Sequence, residues 1–127
     1  MKCGSAGEID AITYAPLNKE AMKLAGLRHD DELHYFAELL GYAGVISEIK
    51  VSWTLSTSRV TSHVPLRAVA DQITARKIVD AATLLHRVIA AAGTVRPRIA
   101  IAALNPHAGE GGLLGTEEAA VMGPGVA

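Results

Sequence analysis

The chain has 127 residues, half of them apolar and only five aromatic, and its formal net charge is −1. That length suits one domain with a modest core, and scattered basic residues on a near-neutral chain argue against nucleic acid or an anionic membrane surface as partner. No apolar run approaches the roughly 20 residues that span a bilayer, and the single Cys3 excludes an internal disulfide or a CxxC pair, as suits a reducing compartment.

The amino terminus, Met1-Lys2-Cys3-Gly4-Ser5, lacks the apolar stretch of a signal peptide, so a cytoplasmic location is expected. Ile9 to Ala15 reads as a short buried strand stopped by Pro16, which cannot extend a ladder. Leu17 to Ala25 has helical spacing, with Gly26 at C′. A second helix is expected from about Asp31 to Leu40, capped by Asp30 and closed by Gly41, with Leu33, Phe36, Ala37 and Leu40 as its apolar stripe.

Val45 to His63, with Ile46, Ile49, Val51, Trp53 and Leu55 among serines and threonines, suggests two short strands around a turn, ended by Pro65. Thr74 to Ala92 is the clearest helix. Ile78, Ala82, Leu85, Ile89 and Ala92 form one stripe, Thr74 can cap the start and Gly93 can end it. Arg98 to Leu104 reads as a strand and Asn105 to Gly115 as a loop. Thr116-Glu117-Glu118 then opens another helix, since carboxylates suit a first turn.

The order is β-α-α-β-β-α-β-loop-α, an α/β arrangement of small aliphatic residues in which helices flank a mixed sheet. Residues 1–127 are expected to form a single, partial domain. A strand lies almost at the start and Gly123-Pro124-Gly125-Val126-Ala127 follows just after a helix begins, so both ends read as cuts through a larger fold.

Chemistry is concentrated in Asn105-Pro106-His107-Ala108-Gly109-Glu110-Gly111-Gly112, an imidazole in a glycine-rich turn after an apolar run. Open α/β sheets place metal or substrate chemistry at the carboxyl ends of strands. His63, in Thr61-Ser62-His63-Val64-Pro65-Leu66, lies at a comparable place. Neighbouring strands would bring both imidazoles to one sheet edge, where neutral imidazole suits divalent zinc, nickel or cobalt. The competing reading makes each a hydrogen-bonded loop residue.

His86 reads as a surface or packing residue of the long helix. His29 and His34 flank Asp30, Asp31 and Glu32 in what reads as a solvated first turn. The Gly109–Gly112 turn could cradle phosphate through backbone N–H groups, but it matches neither Walker A nor the GxGxxG register of a dinucleotide fold. Glu110 could instead orient an imidazole from behind. Lys19, after the first strand, could meet an anion or stand exposed on its helix.

Three of these segments together resemble the 4-hydroxythreonine-4-phosphate dehydrogenase family of the pyridoxal phosphate pathway. Asn105 to Gly112, followed by Gly115 and Glu117-Glu118, is similar to its most specific signature. Thr61-Ser62-His63-Val64-Pro65-Leu66 resembles its T-x-H-x-P-L segment, and Ala15-Pro16-Leu17-Asn18-Lys19 its G/A-P-x-x-K segment, in the same order. The resemblance covers about the middle two-fifths of a usual member.

The resemblance implies an isocitrate/isopropylmalate-dehydrogenase-like α/β fold, here truncated at both ends, and a homodimer with its site in a cleft near the subunit interface. It also implies NAD-dependent oxidation and decarboxylation of a small phosphorylated hydroxy acid. A divalent metal (zinc, magnesium or cobalt) would be held by three histidines shared between subunits, with His63 and His107 on two of those positions. The third, in a later H-D-Q segment, and the downstream substrate-holding Lys, Asn and Arg have no counterpart in this sequence.

The family's G-H-T-E segment aligns with Asp31-Glu32-Leu33-His34, where neither its His nor its Thr is kept. That departure points to the paralogous branch acting on erythronate or threonate 4-phosphate. Two readings follow: a portion of a metal- and NAD-dependent dehydrogenase, inactive alone, or a non-catalytic remnant or interaction module with a weak metal site. No residue is assigned to NAD or to substrate.

Overall fold

The computed structural model describes residues 6–29 and 31–126. The chain divides into two compact units, Met1–Ile46 and Ser47–Ala127. Cys3 and Asp30 lie outside the described residues.

The first unit holds helices α1 (Lys19–Leu24) and α2 (Glu32–Leu39). Asn18 caps α1 by accepting from the Ala21 amide at 2.9 Å, and Asp31 caps α2 by accepting from His34 N at 2.8 Å. An oxygen at the cap satisfies one of the donors that the first turn leaves without an intrahelical partner. The cap of α2 is therefore Asp31, one residue beyond the expected Asp30. Leu33, Phe36 and Ala37 are half-buried as the stripe requires, whereas Leu40, the C-cap, is exposed. Tyr14 meets Phe36 edge-on, with ring centroids 5.4 Å apart. The segment 9–15 is not a strand. It has no ladder partner among the described residues; Tyr14 meets helix α2 through that ring contact, while Ile9 and Ile12 are exposed.

The second unit begins with an antiparallel hairpin, β1 (Lys50–Val51) and β2 (Ser56–Thr57), in the register Lys50↔Thr57 and Val51↔Ser56. Ser52 N donates to Leu55 O at 2.8 Å across its turn. Extending the register places Glu48 opposite Arg59, and these two side chains form an ion pair. The hairpin thus continues the two-strand expectation for 45–63, with a ladder much shorter than the sequence suggested.

Pro65 then starts a 3-10 turn, Leu66–Ala68, that runs into α3 (Val69–Gln72), a short helix the periodicity did not reveal. Helix α4 (Ala75–Ala91) is the main element of this unit. Thr74 caps it, accepting from Lys77 N at 3.2 Å. Its end shows how the sequence stops a helix. Gly93, at φ +104, donates to Ala90 O at 3.0 Å while Thr94 N donates to Ile89 O at 3.2 Å, a paired closure that needs a left-handed residue. The same bonds end α1 at Gly26 and α2 at Gly41.

Ile78 and Leu85 of α4 are buried, together with Met122 from a π-wound turn, Glu118–Met122, that packs on α4. The last helix, α5 (Gly123–Val126), also packs on α4. Gly125 permits this approach, since a Cβ there would lie 3.1 Å from Ala75 Cα. The expected helix after Gly115 is thus realised as a π turn followed by a short α turn.

Residues 98–104 do not form a ladder. Their burial alternates in the way a strand's does, with Ile99 and Ile101 half-buried between exposed Arg98, Ala100 and Ala102. They face a groove of about 770 Å³ between the hairpin and α4. A strand exists only when a neighbour takes its backbone hydrogen bonds, and the described residues supply none here. The mixed sheet flanked by helices is therefore seen only as the two-stranded hairpin. The chain remains mixed helix and strand, and none of its described helices is long and apolar enough to cross a membrane.

Candidate functional site

Left-handed backbone marks His63 itself and the turn that follows His107. Among the described residues, three non-glycine positions have positive φ: His63 at +56°, Ala108 at +49° and Glu110 at +45°. One is a candidate ligand, and the other two follow the second candidate, His107, by one and three positions. Left-handed conformations cost L-residues on the order of 1–2 kcal/mol each and persist where surrounding structure enforces them, which is common at functional sites.

His63 lies just before the Pro65-started turn, and its residue is exposed. Val64, the residue before Pro65, is the one that the proline biases away from helical backbone, so the 3-10 turn starts only after Pro65 and His63 precedes it in a left-handed conformation.

His107 sits in a tightly organised loop. Asn105 Oδ1 accepts from His107 N at 2.9 Å and from Gly109 N at 3.5 Å, the local turn expected of an Asn that precedes proline. Ala108 N donates to Asn105 O, Glu110 N to His107 O, and both Gly112 N and Leu114 N to Gly109 O, winding the loop through the Glu110–Gly112 3-10 turn. Gly109, at φ +75, is buried, and a Cβ there would lie 2.8 Å from Gly115 O. Only glycine fits. The imidazole of His107 stays largely exposed, with Nδ1 3.9 Å from Glu110 Oε2. That separation is too long for a hydrogen bond but within electrostatic reach. It leaves Nε2 as the nitrogen turned away from the carboxylate.

Of the remaining histidines, His86 is placed as expected, whereas the acidic first turn beside His29 and His34 is less solvated than expected, with Asp31 buried. His86 is exposed on α4. His29 pairs with Glu38, and His34 Nδ1 lies 2.6 Å from Asp31 Oδ1, both within helix-terminal networks of the first unit. Lys19 does not stand free: its ammonium pairs with Glu32, whose carboxyl it holds below the usual 4.5, helped by the Glu32 backbone amide.

The donor chemistry of His63 and His107 fits a borderline divalent cation, since imidazole nitrogen is a common ligand for zinc or cobalt. The number does not complete a site. Among the described residues, no group of three His, Cys, Asp or Glu side chains is placed to hold a metal. Sequence reading missed one participant in the His107 loop, Glu118, whose first-turn position suggested only a favourable helix dipole.

Comparison with known proteins now bears on this arrangement. The family model described as "Pyridoxal phosphate biosynthetic protein PdxA" matches residues 1–127. The chain belongs to the PdxA family. A Pasteurella multocida protein provisionally named a 4-hydroxythreonine-4-phosphate dehydrogenase is 42% identical over 126 residues, covering 99% of this chain and 37% of its own. The D-threonate 4-phosphate dehydrogenase of Salmonella typhimurium is 36% identical over 123 residues, covering 94% of this chain and 36% of its own.

Among solved structures, the 4-hydroxythreonine-4-phosphate dehydrogenase of Klebsiella pneumoniae matches with a TM-score of 0.84 at 34% identity, over 98% of this chain and 38% of that one. The chain therefore spans somewhat under two-fifths of the length of these PdxA relatives.

Proposed function

We propose that this chain is the histidine-bearing portion of a PdxA-type dehydrogenase, in which His63 and His107 supply two imidazole nitrogens to one divalent cation. The observation that carries this reading is the confinement of non-glycine left-handed backbone, among the described residues, to His63 and to Ala108 and Glu110 in the turn that follows His107. Both histidines are exposed, so packing of their side chains gives no reason for left-handed backbone at His63 or in the turn after His107.

The substrate class follows from the relatives' names, a four-carbon acid bearing a 4-phosphate and an oxidisable hydroxyl. NAD, when bound, would supply the hydride acceptor for the hydroxyl-bearing carbon, the hydroxyl proton leaving to solvent; the resulting 3-keto acid would lose carbon dioxide and take up a proton at the carbon that carried the carboxylate. When bound, a divalent cation supplies Lewis-acid polarisation of the hydroxyl oxygen. The residues of this chain orient and present. The Asn105 turn fixes the His107 backbone, and Glu110 attracts the Nδ1 side of the ring so that Nε2 faces outward.

The glycine-rich loop does not have the register of a dinucleotide turn, so no part of it is assigned to NAD. The enzyme would be a cytoplasmic homodimer on an isocitrate-dehydrogenase-like scaffold, with ligands from both subunits completing the metal set. The isolated chain, carrying two of three ligands, should show negligible turnover.

The test is calorimetric binding of D-threonate 4-phosphate and 4-phosphooxy-threonine to the chain with and without zinc. Cation-dependent binding of either ligand, lost in both His63→Ala and His107→Ala, is expected. Equal binding with zinc and with excess chelator would refute the proposal.

A further inference from the structure

Glu118 opens the π-wound turn, yet its carboxylate is directed at the loop that carries His107. Its Oε1 accepts from Leu104 N at 3.1 Å, from Asn105 N at 3.4 Å and from Asn105 Nδ2 at 3.4 Å. Its Oε2 is shielded from solvent, has no hydrogen-bond partner among the described residues, and lies 3.1 Å from where a Gly109 Cβ would stand. The carboxylate therefore occupies the inside of the turn, wedged between the Asn105 amides and Gly109.

The consequence is directional. An asparagine amide can present either its oxygen or its nitrogen to a neighbour, and the two orientations nearly coincide in shape. The His107 and Gly109 N–H groups need an oxygen. By accepting from Asn105 Nδ2, Glu118 holds that nitrogen on its own side and turns Oδ1 toward His107 N and Gly109 N. Without the carboxylate, a flipped amide would place a donor against a donor, and the turn would lose its closure.

We propose that Glu118 is the positioning residue for His107, acting through the orientation of the Asn105 side chain. The backbone part of this inference stands by itself; its relevance to a cation rests on the proposed ligand role of His107.

Amide hydrogen exchange read by NMR on the full 127-residue chain tests it. In Glu118→Ala the His107 and Gly109 amides should exchange about tenfold faster, while Leu85 in α4 keeps its wild-type rate. Glu118→Gln retains an acceptor oxygen and should stay within about twofold of wild type. Unchanged His107 and Gly109 rates in Glu118→Ala would overturn the proposal, as would a Gln variant as unprotected as the Ala variant. If Glu118→Ala fails to fold, Asn105→Ala breaks the same path one link later. It must accelerate both amides or the inference fails.

Cobalt(II) titration of the same proteins separates the two ideas. Faster exchange with weakened cobalt binding supports both. Faster exchange with cobalt binding unchanged, in a background where His107→Ala also leaves it unchanged, upholds Glu118 and removes the metal role.

Discussion

At the scale of single residues, the loop around His107 depends on a glycine that cannot be replaced. Gly109→Ala forces a side chain into a left-handed backbone and against the carbonyl of Gly115. The conformational part alone costs about 1–2 kcal/mol. Chemical denaturation should show at least that loss. A variant as stable as wild type would mean that the loop is not held as described.

A second residue-scale prediction concerns Lys19 and Glu32. The Lys19 ammonium, donating to Glu32, depresses that carboxyl from its usual 4.5. A depressed carboxyl contributes stability above its unfolded value, and the contribution disappears as pH falls through the lowered folded value. Lys19→Met should therefore move the Glu32 carboxyl back toward 4.5 in a carbon-13 NMR titration and reduce the acid-side loss of stability. An unmoved titration would show that the ion pair does not persist in solution.

Among the elements, α4 was the most legible because everything that defines it is local. Thr74, the apolar stripe and Gly93 sit within twenty residues of one another, and the structure realises the cap, the buried Ile78 and Leu85, and the closing turn. Helices α1 and α2 were legible for the same reason, the cap of α2 being misplaced by one residue because Asp30 and Asp31 offer the same chemistry. Residues 9–15 and 98–104 were not. Apolar runs record that a segment is compatible with a sheet, but the neighbour that completes it is non-local. The hairpin, whose partner is a few residues away, did form.

The same contrast applies to the site. The His107 turn announces itself through Asn105-Pro106 and its glycines, whereas the contact from Glu118 crosses thirteen or fourteen positions and left no pattern to read. Two stability predictions belong to this scale. Ile78→Ala removes the most deeply buried side chain of α4, 1% exposed, and should cost about 2–5 kcal/mol. Thr74→Ala removes the helix cap and should cost about 1 kcal/mol, both read by urea denaturation.

Considered whole, the molecule exposes much of its apolar surface. Trp53, Val51 and Leu55 of the hairpin and Val95 after α4 are open to solvent. Next to them, residues 98–104 carry backbone groups without ladder partners among the described residues. Exposed apolar surface with unpaired strand-like backbone favours association. Sedimentation velocity should therefore find oligomers, and a single monomeric boundary across the accessible concentration range would contradict this.

Whether one ion links His63 and His107 is decided most directly by cobalt(II) titration of wild type, His63→Ala and His107→Ala, followed by the visible absorption of the bound metal. The account predicts a single class of imidazole-bound cobalt in wild type and affinity reduced by about tenfold or more in each variant. If either substitution leaves both the affinity and the spectrum as they were, the two histidines do not share a cation.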